Sequence, residues 1–334
     1  MWFAFITVCT IGLLWICIRI HEVLHELGHL LGGLLSGYRY LSLRIGRIAL
    51  VRRIDRLTLI RLKSVSSGGQ CLMTPPISYE YSSWFWYTSG GILCNFFFGI
   101  IGFIAFGVLS NNVLRYITVC FGSCGLVTAI MAAIPRTKEV VNDGATILEL
   151  LRDPDARRAY WEQGMVVAWW HEGRPYYKFE WSRIPILENI QSELCLFIRG
   201  IWYYGYLETG EIKKAEKELR LLEAAKDYMS QDMRESILVE RYYLELLKSN
   251  IDVMDPNYLD VKMMLIGEST VTKTRVHHLE ALRTGRIAEA VAIEKDFIRD
   301  MNSNLLLGDA VSNLHIMVAN RKEAEERWRA SDES

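Results

Sequence analysis

Charge is scarce in the first 135 residues of this 334-residue chain, which hold 10 of its 38 Lys and Arg and 4 of its 39 Asp and Glu. A segment so poor in charge and so rich in apolar side chains is too apolar for water. Cysteine is sparse as well: Cys9, Cys17, Cys71, Cys94, Cys120, Cys124 and Cys195 show no CxxC spacing, which excludes a disulfide framework and argues against a sulfur-ligated zinc site. No phosphate-binding glycine loop and no basic helix is present, so nothing points to nucleic acid. What is there, 51% hydrophobic and 11% aromatic residues, excludes a disordered, collagen-like or mucin-like chain.

A helix needs roughly 20 apolar residues to cross a hydrocarbon core of about 30 Å. Three segments reach that length. Met1 to about Gly37 has no charge before Arg19, 34 consecutive residues between Glu80 and Arg115 lack a charged side chain, and Tyr116 to Pro135 adds another 20. Spans are expected at about 2–36, 84–110 and 114–135. Met1 to Ile18 lacks the basic start of a signal peptide, and the apolar pattern runs past any small-residue cleavage site. Arg39, Arg44, Arg47, Arg52, Arg53, Arg56, Arg61 and Lys63 crowd the loop between the first two spans, whereas the connection at Asn111 and Asn112 offers only Arg115. The positive-inside rule therefore predicts a multi-pass protein of the cell membrane, with its N-terminus outside and both the 38–83 loop and everything after Arg136 in the cytoplasm.

Within that loop Leu41, Leu43 and Ile45 alternate with Ser42, Arg44 and Gly46, and a second run covers Leu57 to Val65. The alternation predicts short strands, a β-hairpin region with one apolar and one basic face. It suits either anionic headgroups or the edge-on binding of another chain.

His21-Glu22-Val23-Leu24-His25-Glu26-Leu27-Gly28-His29 contains two overlapping copies of HExxH. Residues four apart on a helix share a face, so two imidazoles reach one zinc ion while the intervening Glu stands beside the attacking water. Such side chains are costly inside an apolar helix and mark a functional site, the plainer alternative being a hydrogen-bonded network or a proton path. Spacing alone does not separate the two registers. Gly28, Gly32 and Gly33 around His29 let neighbouring helices approach closely. His25 and His29 are therefore assigned as ligands and Glu26 as the base, leaving His21 and Glu22 as candidates to orient them. The other register takes His21 and His25 as ligands and Glu22 as base.

A catalytic zinc generally takes three protein ligands and leaves a fourth position for water. Past the third span, Pro135 ends the helix and Gly144 permits an unusual backbone, which makes Asp143 the candidate third ligand. Without the histidines it would read as a helix N-cap or an Asp-Gly turn. One zinc per chain is expected.

Over about Trp2 to Leu150 these residues resemble the site-2 protease family of intramembrane zinc metalloproteases, the peptidase M50-like proteins. His25-Glu26-Leu27-Gly28-His29 is similar to its zinc motif. Gly91-Ile92-Leu93-Cys94-Asn95 is similar to its Gly-Pro-x-x-Asn element, with Ile92 where proline is usual, and Gly68-Gly69 to the Gly-Gly turn before its second core helix. Pro135 and Asp143-Gly144 resemble its Asn-x-x-Pro and Asp-Gly pair, although Ala132 stands at the Asn position and Asp143 lies eight residues after Pro135, where five is commonest. The resemblance implies a zinc endopeptidase acting on a transmembrane or amphipathic segment of a membrane protein or peptide precursor. It also implies that Asp143 completes the zinc site and that Asn95, Gly91, Gly68 and Gly69 meet the substrate. Read alone, Asn95 is an interhelical polar contact. Two other readings stand: a non-enzymatic membrane scaffold descended from such a protease, and a different HExxH peptidase using a Glu as third ligand, which requires Asp143 to lie far from the histidines.

The fold expected is mainly α, with a zinc-site core over 1–150, an aromatic-rich connecting helical segment at 151–189, and a soluble cytoplasmic helical-repeat domain at 190–334. Leu207-Glu208-Thr209-Gly210-Glu211-Ile212 recurs as Leu282-Arg283-Thr284-Gly285-Arg286-Ile287, each a Gly turn before an amphipathic helix, as in tetratricopeptide hairpins. A plain bundle is the alternative. Asn320-Arg321-Lys322-Glu323-Ala324 is expected to form a third turn. Stacked repeats suit a cytoplasmic protein or peptide partner. Trp161, Trp169, Trp170, Tyr176, Tyr177 and Trp181 suit either core packing or the headgroup region. His171-Glu172 lacks a second His four residues on and is not read as a metal site.

Overall fold

The computed structural model describes residues 2–53, 56–62, 68–138, 141–180, 183–185, 187, 189–248, 253, 255–266 and 270–332. It is mainly helical, with one four-stranded sheet. Contacts divide the chain into two compact units, Met1–Arg52 with Ser66–Arg157, and Arg53–Val65 with Arg158–Ser334.

The first unit is built on α1 (Trp2–Leu35), α2 (Trp84–Val108) and α3 (Asn112–Ala133), all long and apolar enough to cross a membrane. Their outward faces carry exposed Phe5, Ile11, Trp15, Phe97, Ile104 and Val127. Glycine sets how closely they pack. A Cβ on Gly28 would lie 2.2 Å from the Gly90 carbonyl oxygen, and one on Gly32 would lie 1.9 Å from that of Trp86, so α1 and α2 meet backbone to backbone. Gly102 meets Gly122 in the same way between α2 and α3. Asn111 starts α3 by accepting from the N–H groups of Val113 and Leu114.

Between α1 and α2 lie β1 (Arg39–Ile45), β2 (Ile48–Arg53), β3 (Arg56–Arg61) and β4 (Gly69–Thr74), in the order β3-β2-β1-β4. The two strands expected from alternation are β1 and β3; β2 and β4 were not anticipated. Of the 57–65 run, Lys63 to Val65 lie outside the described residues. Gly46, at φ +54°, turns β1 into β2, and Leu43 pairs with Leu50 on one side and Cys71 on the other. The Gly46 N–H donates to the Gly68 carbonyl at 3.3 Å, which fixes the phase of the β1–β4 ladder. Gln70 and Leu72 therefore turn their backbone groups to β1, while Gly69 and Cys71 turn theirs to the outer edge.

Helix α4 (Asp143–Arg152) closes the first unit, and α5 (Pro154–His171) runs on into the second. The second unit continues with α6 (Glu193–Glu208), α7 (Ile212–Ala224), α8 (Gln231–Leu247), α9 (Leu259–Leu265), α10 (Val271–Arg283), α11 (Ile287–Asp300) and α12 (Leu307–Asp332). Gly210 and Gly285, at φ +75° and +74°, end α6 and α10 in matching turns: Glu211 donates to the Tyr206 carbonyl and Arg286 to that of Ala281, each at 2.8 Å. The recurrence in sequence is thus a recurrence of one backbone device. Residues 320–324 form no turn. They lie inside α12, which has no glycine or proline after Gly308, and Asn320 donates to the Tyr243 hydroxyl at 2.7 Å. Among the aromatic residues of 161–181, Trp170 and Tyr176 are buried in a core with Ile198 and Ile201, Tyr177 is exposed, and Trp181 lies outside the described residues. Arg53 donates to the carbonyls of His171 and Asn304 at 3.0 and 2.8 Å.

Candidate metal centre

On α1, His25 and His29 stand one turn apart with Glu26 between them. The chain reaches them again 118 residues after His25. His25 Nε2 lies 2.9 Å from Asp143 Oδ2, His29 Nε2 lies 3.5 Å from the same oxygen, and the two Nε2 atoms are 3.1 Å apart. Among the described residues this is the one group of three that could hold a metal ion. A tetrahedral ion with bonds of about 2.0–2.1 Å spaces its ligands about 3.3 Å apart, so the triangle has the right size as well as the right donors. All three members are partly accessible rather than sealed.

Glycine makes room for the donors. A Cβ on Gly91 would lie 2.5 Å from His25 Nε2 and 2.6 Å from His29 Nε2. Behind His29, Nδ1–H donates to the Tyr87 carbonyl at 2.7 Å, which leaves Nε2 with its lone pair toward Asp143.

Asp143 is held by its neighbour in sequence. The Asn142 side chain accepts from the N–H of Ala145 at 3.1 Å, capping α4, and from that of Arg136 at 2.9 Å. Its amide donates to the carbonyls of Met131, Ala132 and Ile134 at 3.2, 3.0 and 2.8 Å. One side chain thus ties the end of α3 to the first turn of α4, and the long interval between Pro135 and Asp143 does not carry the carboxylate away. Ala132 takes part through its carbonyl. Gly144 lets the turn close, since a Cβ there would lie 2.1 Å from the Ala133 oxygen.

Glu26 is buried and faces the start of β4: a Cβ on Gly69 would lie 2.4 Å from its Cγ and 2.5 Å from Oε1. Arg44 of β1 clamps that turn, donating to the carbonyls of Gly46, Gly68 and Gly69 at 3.1, 3.0 and 3.3 Å. Gly68, at φ +95°, adopts a backbone that favours glycine. The Tyr87 hydroxyl donates to the Cys71 carbonyl at 2.7 Å. Burial, and then the charge of Glu26, pushes the Cys71 thiol up to about 12.

The first HExxH copy is engaged elsewhere. His21 Nε2 meets the Phe121 carbonyl at 3.0 Å and its Nδ1 lies 3.2 Å from Asn95 Oδ1, while Asn95 Nδ2 is 3.3 Å from His25 Nδ1. Glu22 pairs with Arg19 at 2.6 Å. Asn142, Arg44 and the carbonyls of Tyr87 and Phe121 are the site residues that sequence reasoning missed. Asn142 had a signal, an Asn directly before a helix that starts with Asp-Gly; the other three had none, because their roles come from pairing across the fold.

No protein-family model, no curated protein and no solved structure matches this chain.

Proposed function

We propose that the protein is an intramembrane zinc endopeptidase of the site-2 protease kind. Its three apolar helices cross the cell membrane with the N-terminus outside, and its helical second unit serves recruitment or regulation in the cytoplasm. The observation that supports this most is the convergence of His25, His29 and Asp143 beside a buried Glu26 at the edge of a sheet. Two imidazoles and one carboxylate are a donor set that suits catalytic zinc. When bound there, zinc supplies Lewis acidity to the scissile carbonyl and acidifies water.

The chain's own residues do the rest. Glu26 takes the proton of the attacking water as the oxygen–carbon bond forms, then delivers it to the amide nitrogen as the carbon–nitrogen bond breaks. A transmembrane helix hides its carbonyls in internal hydrogen bonds, so the substrate must unwind before it can react. Strand β4 ends the sheet beside Glu26 and offers an unwound segment an edge to pair with, where Arg44 and Tyr87 already hold the Gly69 and Cys71 carbonyls. Gly91 keeps the space over the donor triangle open.

Membrane-fraction proteomics of cells expressing the native chain or Glu26→Gln tests this. We expect a membrane peptide to be cut by the native chain and to stay intact with the variant, a loss of at least about a hundredfold. Equal cleavage by Glu26→Gln would remove Glu26 as the base.

A further inference from the structure

The polar chain behind His25 is longer than a metal ligand needs. Starting from the far end, the Phe121 carbonyl can only accept, so its 3.0 Å contact requires a hydrogen on His21 Nε2. Neutral His21 then has a lone pair on Nδ1 and needs a donor there. Among the described residues the polar side chain at that nitrogen is Asn95, which is 2% exposed, with its Oδ1 3.2 Å from His21 Nδ1 and its Nδ2 3.3 Å from His25 Nδ1. The oxygen and nitrogen of an amide exchange places by a half turn about its last bond, so the neighbours decide which faces which. With the NH2 toward His21, the oxygen faces His25 and accepts from Nδ1–H. His25 is then left with its lone pair on Nε2, the atom that meets His29 and Asp143. The opposite turn would require a second proton on His21, which is 0% exposed, and would move the hydrogen of His25 onto Nε2.

We propose that Asn95 and His21 are positioning residues that fix His25 in its metal-holding tautomer. With the Asn95 amide given that half turn, the chain of donors runs from His25 Nδ1–H to Asn95 Oδ1, from Asn95 Nδ2–H to His21 Nδ1, and from His21 Nε2–H to the Phe121 carbonyl. It spans all three long helices: α1 supplies both imidazoles, α2 the amide and α3 the terminal acceptor. Gly125 admits His21 against α3, because a Cβ there would lie 2.6 Å from its Cε1, and the Phe121 ring covers the imidazole at 4.3 Å between centroids. His29 reaches the same tautomer through a single backbone carbonyl. The first histidine of the doubled motif is thus the remote anchor of the second copy rather than an unused alternative.

This inference rests on the metal centre proposed above, and its test separates the two. The full chain is purified in detergent and its zinc dissociation constant is measured by competition with a chromophoric chelator, for the native chain, Asn95→Leu, His21→Phe and His21→Gln. Glutamine carries an acceptor and a donor side by side, as neutral His21 does; phenylalanine carries neither. We expect Asn95→Leu to weaken zinc binding about 10- to 100-fold, the usual cost of losing such a partner, His21→Phe about tenfold, and His21→Gln less than about threefold. Equal losses for His21→Gln and His21→Phe, or native affinity in Asn95→Leu, would overturn the relay while leaving the metal centre standing. A native chain that binds no zinc would instead sink the metal centre. Imidazole 15N NMR of the native chain gives a check that needs no variant: hydrogen on Nε2 of His21 is expected, and hydrogen on Nδ1 alone refutes the relay.

Discussion

Arg275 and Glu240 in the second unit and the His25, His29 and Asp143 group in the first are both polar clusters set among apolar side chains, yet they are finished differently. Both oxygens of Glu240 receive Arg275 Nη2 at 2.6 Å, Tyr203 and Tyr204 donate to them at 2.8 and 2.7 Å, and the guanidinium lies 4.1 Å over the Tyr243 ring. Positive charge meets negative charge inside the chain, and the side chains are 0% and 4% exposed. At the histidines, by contrast, two ring nitrogens and a carboxylate oxygen point at one another, three groups that bind cations, while remaining partly accessible. A cluster that cancels its own charge is architecture; one that converges acceptors calls for a cation from outside.

Removing one partner of the closed cluster is expected to have the largest effect. Arg275→Leu strands Glu240 and should destabilise the second unit by about 3–5 kcal/mol, whereas Arg275→Leu combined with Glu240→Leu should recover most of that loss. Thermal or denaturant unfolding of the two variants checks this. Arg275→Leu and the double variant falling together would show that the pair is not the closed unit described.

Asn142→Ala should cost the first unit about 1 kcal/mol as a lost helix cap and weaken zinc binding about tenfold, because Asp143 loses its anchor. Asn142→Asp keeps the cap acceptor but not the donations to Met131, Ala132 and Ile134. It should therefore share the metal defect while retaining most of the stability. Zinc affinity unchanged in both variants would free Asp143 from this dependence.

These cases show how far the sequence reached. The doubled HExxH, the three apolar helices and the β1 alternation are local patterns whose period is written in the residues themselves. Asp143 was legible because proline and glycine bracket it. Strands β2 and β4 were not, since Ile48–Arg53 carries charge at its end and Gly69–Thr74 is too short to show a period; only pairing with β1 makes them strands. The expected turn at 320–324 failed for the complementary reason: its resemblance to the Gly turns lacked the glycine that gives φ near +75° at Gly210 and Gly285. The split between the two HExxH copies depended on partners 70 to 118 residues away.

The smallest expected effect concerns acidity in the second unit. Burial pushes Glu208 from the ordinary 4.5 up to about 7, with the Tyr177 N–H donating to it at 2.8 Å, His315 3.6 Å away, and Ser312 and Asp309 also facing it. The fold favours the protonated form, so this contribution is full below about 4.5 and is lost as pH rises through about 7. Glu208→Gln should remove that loss, gaining a few degrees in thermal midpoint over the native chain between pH 5 and pH 8. Parallel pH profiles would contradict it.

The central claim is that His25, His29 and Asp143 hold one metal ion, and the most direct measurement is the zinc content of the purified full chain after exhaustive dialysis. We predict one zinc per native chain, one in Glu26→Gln, and essentially none in Asp143→Ala or His25→Ala. A native chain without zinc, or an Asp143→Ala variant that keeps it, would contradict the account.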